Sequence, residues 1–144
     1  MNKERLVKTF TDLVALDSPS FDEQAVCRYI KERLTALGVQ VEEDDSAAAT
    51  GSTCGNLLAT IPGDPSLEPV LFAAHMDTVE PAKGKKAVVH PDGRITSDGT
   101  TVLGADDMSG VAAVLEALHH LKEENRPTRE LEILHSIGEE KHVK

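Results

Sequence analysis

A continuous apolar run that ends in two polar side chains occupies the stretch Val70-Leu71-Phe72-Ala73-Ala74-His75-Met76-Asp77. A short run without polar and apolar alternation is typical of a strand that is buried on both faces in the centre of a sheet. Residues i and i+2 of an extended backbone project to the same side, so His75 and Asp77 are predicted to approach each other. The stretch therefore predicts a central strand with a polar site at its carboxyl end.

Two helices and two strands are predicted before this stretch. Apolar residues recur with helical spacing over residues 6–14 and 26–37, and β-prone runs cover residues 39–42 and 56–61. Ser20 and Glu23 form a capping-box pattern at the start of the second helix. The small and polar residues 44–55 predict a loop between the two strands.

A hairpin, a loop, a helix and a strand are predicted after the stretch. The hairpin turns at residues 91–93, a loop rich in Gly and Asp covers residues 99–110, a helix begins at Val111, and a strand covers residues 131–137. Strands and helices thus alternate along the chain, which predicts the α/β class. A length of 144 residues fits a single domain.

The composition excludes several classes of function. The formal net charge of −10 repels a phosphate backbone, and 3% aromatic residues leave few rings for base stacking, so nucleic-acid binding is not expected. No run approaches the roughly 20 apolar residues of a membrane span, and the first residues are amphipathic rather than an apolar signal segment. Two cysteines, Cys27 and Cys54, do not make a disulfide framework, so we predict a cytoplasmic protein with Cys27 as an apolar filler.

Three short polar groups lie just past a predicted strand or just before a predicted helix, where ligands collect in open α/β sheets. They are His75-Met76-Asp77, Ala105-Asp106-Asp107 and Gly138-Glu139-Glu140. Each group alone also has a structural explanation. The histidine could be buried against a nearby acid, the paired Asp residues could cap a helix, and a Glu pair means little among 25 acidic residues.

The order and spacing of the three groups favour a common site. His75 and Asp106 are 31 positions apart, and 33 positions separate Asp106 from Glu139. The chain resembles the M20 family of metallopeptidases, and within it the peptidase T-like aminopeptidases. The resemblance rests on the segments Ala74-His75-Met76-Asp77-Thr78-Val79, Leu103-Gly104-Ala105-Asp106-Asp107 and Ile137-Gly138-Glu139-Glu140.

The resemblance implies a role for each of five residues. His75 would bind one of two zinc ions, Asp106 would bridge both, and Glu140 would bind the second. Asp77 would orient His75 through a hydrogen bond, and Glu139 would be the general base that takes a proton from the attacking water. The peptide bond after Asp106 would be cis. Imidazole and carboxylate ligands suit Zn²⁺, although Co²⁺ or Mn²⁺ could occupy such a site. The five other histidines, at positions 90, 119, 120, 135 and 142, are predicted to be structural or surface residues.

The resemblance also implies a fold and a larger protein. The fold would be a three-layer helix/sheet/helix arrangement with a mixed, mostly parallel sheet. Residues 1–144 would form the N-terminal portion of the catalytic domain, without the remaining ligands and without a dimerisation (lid) domain that could make the full-length protein a homodimer. We therefore expect the isolated chain to be inactive, because metal affinity depends on the number of ligands. An unpaired sheet edge would make it prone to association.

The substrate implied by the resemblance is a small peptide, and the wording of the Leu-Gly-Ala-Asp-Asp segment favours a tripeptide aminopeptidase. An amino-acid deacylase or carboxypeptidase of the same family is an alternative. A second alternative is a non-catalytic remnant or binding module that keeps the fold. Retention of the general-base position together with every expected N-terminal ligand favours the enzyme.

Overall fold

The computed structural model describes residues 1–141. Within these residues there are four helices: α1 (Lys3–Val14), α2 (Gln24–Ala36), α3 (Ser46–Thr50) and α4 (Ala105–Glu124). Six strands accompany them: β1 (Val41–Glu43), β2 (Leu57–Ile61), β3 (Val70–His75), β4 (Ala87–Val89), β5 (Ile95–Ser97) and β6 (Leu131–Ser136). The predicted α/β class is confirmed. Within this part of the chain, no helix is both long enough and apolar enough to cross a membrane.

The main sheet has the strand order β1-β2-β6-β3, and β4 and β5 form a separate hairpin where the sequence predicts one. Strand β3 pairs with β6 in parallel, whereas β1 with β2 and β2 with β6 are antiparallel. The sheet is therefore mixed, as predicted. The four described strands do not bear out a mostly parallel sheet, because β2 runs against both of its neighbours.

Strand β3 lies at an edge of the described sheet and not in its centre, which corrects the prediction from its apolar sequence. The central position belongs to β6, which has β2 on one side and β3 on the other. Leu71 and Phe72 of β3 are 56% and 45% exposed. An apolar sequence thus does not distinguish a central strand from an edge strand. In this chain the edge strand β3 keeps apolar side chains that are exposed.

Helices α1, α2 and α4 share one hydrophobic core with one face of the sheet. Alternate residues of β2 and β6, among them Leu57 and Ile133, point into this core, and the residues between them point away. Helix α1 is fastened to α4 by Arg5, whose Nε donates to the buried carboxylate of Glu116 at 2.7 Å. Cys27 is buried in the same core as a free thiol, as predicted.

Two further elements differ from the sequence prediction. The stretch predicted as a loop contains α3, because the Asp44 carboxylate accepts the Ser46 amide at 3.0 Å and Gly51 ends the helix with a φ of +75°. Helix α4 begins at Ala105 and not at Val111, and Asp106 and Asp107 at its start have non-helical dihedral angles. The Gly- and Asp-rich composition of residues 99–110 hid this early start.

Candidate metal centre

The parallel pairing of β3 and β6 brings the predicted site residues together. His75, the last residue of β3, lies opposite Ser136, the last residue of β6. The segments that follow the two strands therefore leave the sheet at the same end, the carboxyl end of both strands. The start of α4 approaches the same end of the sheet, as shown by the 2.9 Å between Asp106 Oδ1 and His75 Nε2. Three groups that are distant in sequence thus meet around one imidazole ring.

The two nitrogens of His75 have different partners. Nδ1 donates to the backbone oxygen of Asp77 at 2.9 Å and lies 3.3 Å from its Oδ1. Nε2 faces Asp106 at 2.9 Å and Glu139 Oε2 at 3.8 Å. The hydrogen bond to the Asp77 carboxylate raises the pKa of His75 to about 9, with Asp106 adding to the rise and burial opposing it. A bound cation would replace the proton, since metals bind the neutral imidazole.

Asp77 is fully buried and accepts hydrogen bonds from two distant segments, the loop before α2 and the segment after β6. Oδ2 accepts from the hydroxyl of Ser20 at 2.7 Å and from the amide of Glu140 at 3.0 Å, and Oδ1 accepts from the amide of Glu139 at 3.0 Å. Burial alone would raise the pKa of Asp77, but the bonds from His75, Ser20 and the two amides outweigh burial and lower it to about 2. Asp77 is therefore held as an anion that orients His75.

The donor set fits a zinc ion. His75, Glu139 and Glu140 each offer a ligand atom, and these three atoms lie within 4.8 Å of one another. Asp106 adds a carboxylate beside His75 Nε2, and its side chain is 83% exposed. Carboxylates gathered this closely repel one another unless a cation lies between them, and imidazole with carboxylate oxygen is a ligand combination that zinc accepts.

Asp106 and Asp107 serve different purposes although they are adjacent. Asp107 Oδ1 accepts the amide of Gly110 at 3.1 Å, which caps the regular part of α4, so the capping explanation holds for this residue. Asp106 instead turns toward His75. The peptide bond between the two is cis, as the resemblance implies.

Four of the remaining histidines lie away from this group. His119 Nε2 lies 3.5 Å from Glu123 Oε1, and His120 Nε2 lies 3.2 Å from Glu124 Oε1, each one turn further along α4. His90 Nε2 contacts the hydroxyl of Thr96 in the hairpin. His135 is buried in β6, and neither of its ring nitrogens makes a hydrogen bond of good geometry with a described residue. The fifth, His142, which was predicted to be a structural or surface residue, lies outside the described residues.

Three residues near the centre were not predicted to belong to it. Ser20 and Glu23 fit a capping box, yet neither side chain caps α2, since Ser20 binds Asp77 and Glu23 binds Gly138. Lys85 is buried, and its Nζ donates to the backbone oxygens of Leu16 at 2.9 Å and Ala82 at 3.1 Å. Burial lowers the pKa of Lys85. No periodic signal marks Lys85 within its basic stretch, and only its contact with the hydroxyl of Thr78, the residue after Asp77, links it to the site.

Known proteins are similar to this chain in fold and in sequence. The uncharacterised protein YqjE of Bacillus subtilis is 43% identical over 140 residues, which are 97% of this chain and 38% of that protein. A crystal structure of aminopeptidase PepT from Bacillus cereus superposes with a TM-score of 0.93 and 44% identity, over 98% of this chain and 38% of that one. A tripeptidase from Staphylococcus aureus gives a TM-score of 0.93 and 40% identity, over 97% of this chain and 38% of that one.

These comparisons confirm the three-layer α/β fold with a mixed sheet and the similarity to peptidase T-like aminopeptidases. The chain spans 38% of the length of each of these relatives. The M20 label is not confirmed and stays a prediction, because the matching family model carries a different label. That model is the one for peptidase family M28, and it matches residues 56–144, which include all three polar groups of the site. The chain therefore belongs to peptidase family M28.

Proposed function

We propose that this chain is part of a dinuclear zinc exopeptidase of the M20 type that hydrolyses small peptides, with a tripeptide aminopeptidase as the most specific form of the proposal. The observation that carries it is the convergence of one histidine and three acidic residues at the carboxyl end of β3 and β6. His75 Nε2 lies 2.9 Å from Asp106 Oδ1. The ligand atoms of His75, Glu139 and Glu140 lie within 4.8 Å of one another.

Each residue of the group has a proposed task. His75, Asp106 and Glu140 would hold the metal ions, and Asp77 orients His75 by its contacts with Nδ1. Bound zinc would supply Lewis acidity that polarises a scissile carbonyl and makes a water molecule a better nucleophile near neutral pH. The protein then needs a base that can take the proton of this water.

Glu139 is suited to be that base. Its side chain is 56% exposed, so water and substrate can reach the carboxylate, while its backbone amide is anchored on Asp77. The Oε2 atom lies 3.8 Å from His75 Nε2, which places it beside the ligand group. An exposed carboxylate on an anchored backbone can accept a proton and later donate it to the leaving amine.

The proposal includes the parts of the function that depend on a longer protein. The named relatives are a tripeptidase and an aminopeptidase, which supports small peptides as substrates. We propose that further ligands and a dimerisation domain belong to the whole protein, that the isolated chain is inactive, and that the protein is cytoplasmic. The two cysteines support the last point, since both are free thiols.

Zinc titration of the chain by calorimetry tests the proposal. Asp106→Asn removes a proposed ligand, and Asp107→Asn is its matched control, because the amide oxygen can still cap α4. We expect zinc binding to weaken in His75→Ala and in Asp106→Asn and to persist in Asp107→Asn. Equal binding by all four proteins would contradict the metal site. A folded wild-type chain without zinc binding would mean that the site needs the further ligands proposed for the longer protein.

A further inference from the structure

The side chain of Glu23 is fully buried at the start of α2, where it makes no capping hydrogen bond. Its Oε1 accepts the amide of Phe21 at 2.8 Å and the amide of Gly138 at 2.9 Å, and its Oε2 accepts the hydroxyl of Ser52 at 2.8 Å. All three donors are uncharged. A buried carboxyl group is costly unless it is hydrogen-bonded, and these three bonds offset the cost of burying Glu23.

The segment after β6 is held by side chains and not by a neighbouring strand. Four successive amides donate to side-chain oxygens at 2.9–3.0 Å: Ile137 to Asn56, Gly138 to Glu23, and Glu139 and Glu140 to Asp77. The three acceptors come from different parts of the chain. The backbone that presents Glu139 and Glu140 is thus fixed on one side by Asp77 and on the other by Glu23.

Glu23 also joins this segment to the loop before α2. Gly138 has a φ of +63° and Phe21 a φ of +69°, and a Cβ atom at position 138 would collide with the Phe21 ring. The same oxygen of Glu23 accepts the amides of both residues, so it keeps the glycine against the ring. Movement of either segment would break one of these bonds.

We propose that Glu23 is a positioning residue for Glu139 and Glu140, acting through the backbone amide of Gly138. The inference rests on the proposed function of those two glutamates. Metal ligands and general bases must be placed to within a fraction of an ångström, and groups that orient them influence metal affinity and rate. Glu23 is separated from Glu139 by 116 positions in the sequence, and it reaches the site only through the fold.

Three variants separate positioning from general stabilisation. Glu23→Asp keeps the charge but is one methylene group shorter, so its carboxylate cannot reach the amides of Phe21 and Gly138 together. Glu23→Gln keeps the length and an oxygen that can accept both amides. Ser52→Ala removes the third bond of the same carboxylate without touching Gly138. All three are tested in the 144-residue chain beside the wild type.

Amide hydrogen exchange by NMR reads the position of the segment directly. Ile133, in the centre of β6 and paired on both sides, reports on global unfolding. In Glu23→Asp we expect exchange at Gly138 and Glu139 to accelerate at least about tenfold beyond the change at Ile133. Zinc affinity, measured with the metal alone, should fall about 10- to 100-fold in the same variant. Glu23→Gln should keep most of both, and Ser52→Ala should resemble the wild type.

Two results would overturn the proposal. One is an acceleration at Gly138 in Glu23→Asp that only equals the change at Ile133 or is matched by Ser52→Ala. The other is a zinc affinity that stays unchanged in Glu23→Asp although the wild type binds measurably. If the wild type binds no zinc and exchange at Gly138 responds as expected, the positioning contact stands and this chain alone does not form the proposed metal site.

Discussion

The carboxylate of Asp77 accepts the backbone amide of Glu139 at 3.0 Å, which ties the end of β3 to the segment that follows β6. The same carboxylate contacts His75 Nδ1 through an oxygen 3.3 Å away. One buried anion therefore orients the histidine and anchors the backbone of the proposed base. A single residue sets the relation between two parts of the site that lie 64 positions apart.

Asp77→Asn is expected to destabilise the chain by roughly 1–3 kcal/mol at pH 7, because an amide nitrogen would face donors that now bind a carboxylate oxygen. Urea unfolding of both proteins measures the difference. The control is Asp12→Asn, which removes only an exposed ion pair with Lys8 and should cost less than about 0.5 kcal/mol. Equal losses in the two variants would contradict the anchoring role of Asp77.

The same anchor predicts a dependence on acid. The pKa of Asp77 is lowered to about 2 in the folded chain from an ordinary 3.8, so its contribution to stability is complete above pH 3.8. The contribution is lost as the pH falls from 3.8 toward 2, because the unfolded state then binds the proton more readily. Asp77→Asn should lack this component of the acid transition when unfolding is followed across that range. An unchanged slope would argue against a low pKa for Asp77.

Glu139→Gln and Glu140→Gln should differ in zinc affinity. Glu140 is the proposed ligand, so its amide variant should bind zinc at least about tenfold more weakly, whereas Glu139→Gln should stay closer to the wild type. Calorimetric titration of the three proteins provides the comparison. A larger loss in Glu139→Gln would reverse the assignment of ligand and base. The two residues are adjacent, so each variant is the matched control of the other.

His135→Leu is expected to flatten the pH dependence of stability between pH 6.5 and pH 4. Burial lowers the pKa of His135 to about 4, against a smaller opposing effect of the Ala74 backbone. The unfolded state therefore binds a proton more readily than the folded state over this range. Wild-type stability should fall as the pH drops from 6.5 to 4, by roughly 3 kcal/mol more than that of the variant.

Urea unfolding at several pH values checks the prediction for His135. Both ring nitrogens are buried without a good hydrogen bond to the described residues, so the leucine variant should also be at least as stable as the wild type at pH 7. His90→Leu, in the hairpin, is the control for replacing a histidine outside the core by leucine. A slope that persists in His135→Leu would show that another group is responsible.

Leu71→Lys is expected to reduce self-association of the isolated chain. Leu71 is 56% exposed on the edge strand β3, and a lysine there disfavours edge-to-edge pairing of strands. Sedimentation velocity over a range of concentrations measures the effect. Leu67→Lys is the matched control, since Leu67 is 45% exposed but lies in the turn before β3. Equal reduction by both variants would mean that added charge, and not the strand edge, is the cause.

The site residues could be predicted from the sequence because each follows a strand or begins a helix. His75 and Asp77 have the spacing that places two side chains on one side of an extended backbone, and they do approach each other. The edge position of β3 could not be predicted, because an apolar run does not show which strands will flank it. The purposes of Ser20 and Glu23 were hidden for a similar reason, since their local spacing fits a helix cap and their actual partners are distant.

The sequence by itself determined the α/β class, the hairpin, the two amphipathic helices before β2 and the identity of the residues that meet at the candidate metal centre. Local periodicity and short spacings carry the information on the helices and strands, because they depend on backbone geometry alone, whereas the site residues were identified by the resemblance of three motifs to a known family. Only the tertiary structure decided that Asp106 faces His75 and that Glu23 holds Gly138. These contacts join segments that come together when β3 and β6 pair in parallel, and no local rule specifies the partner of a buried polar group.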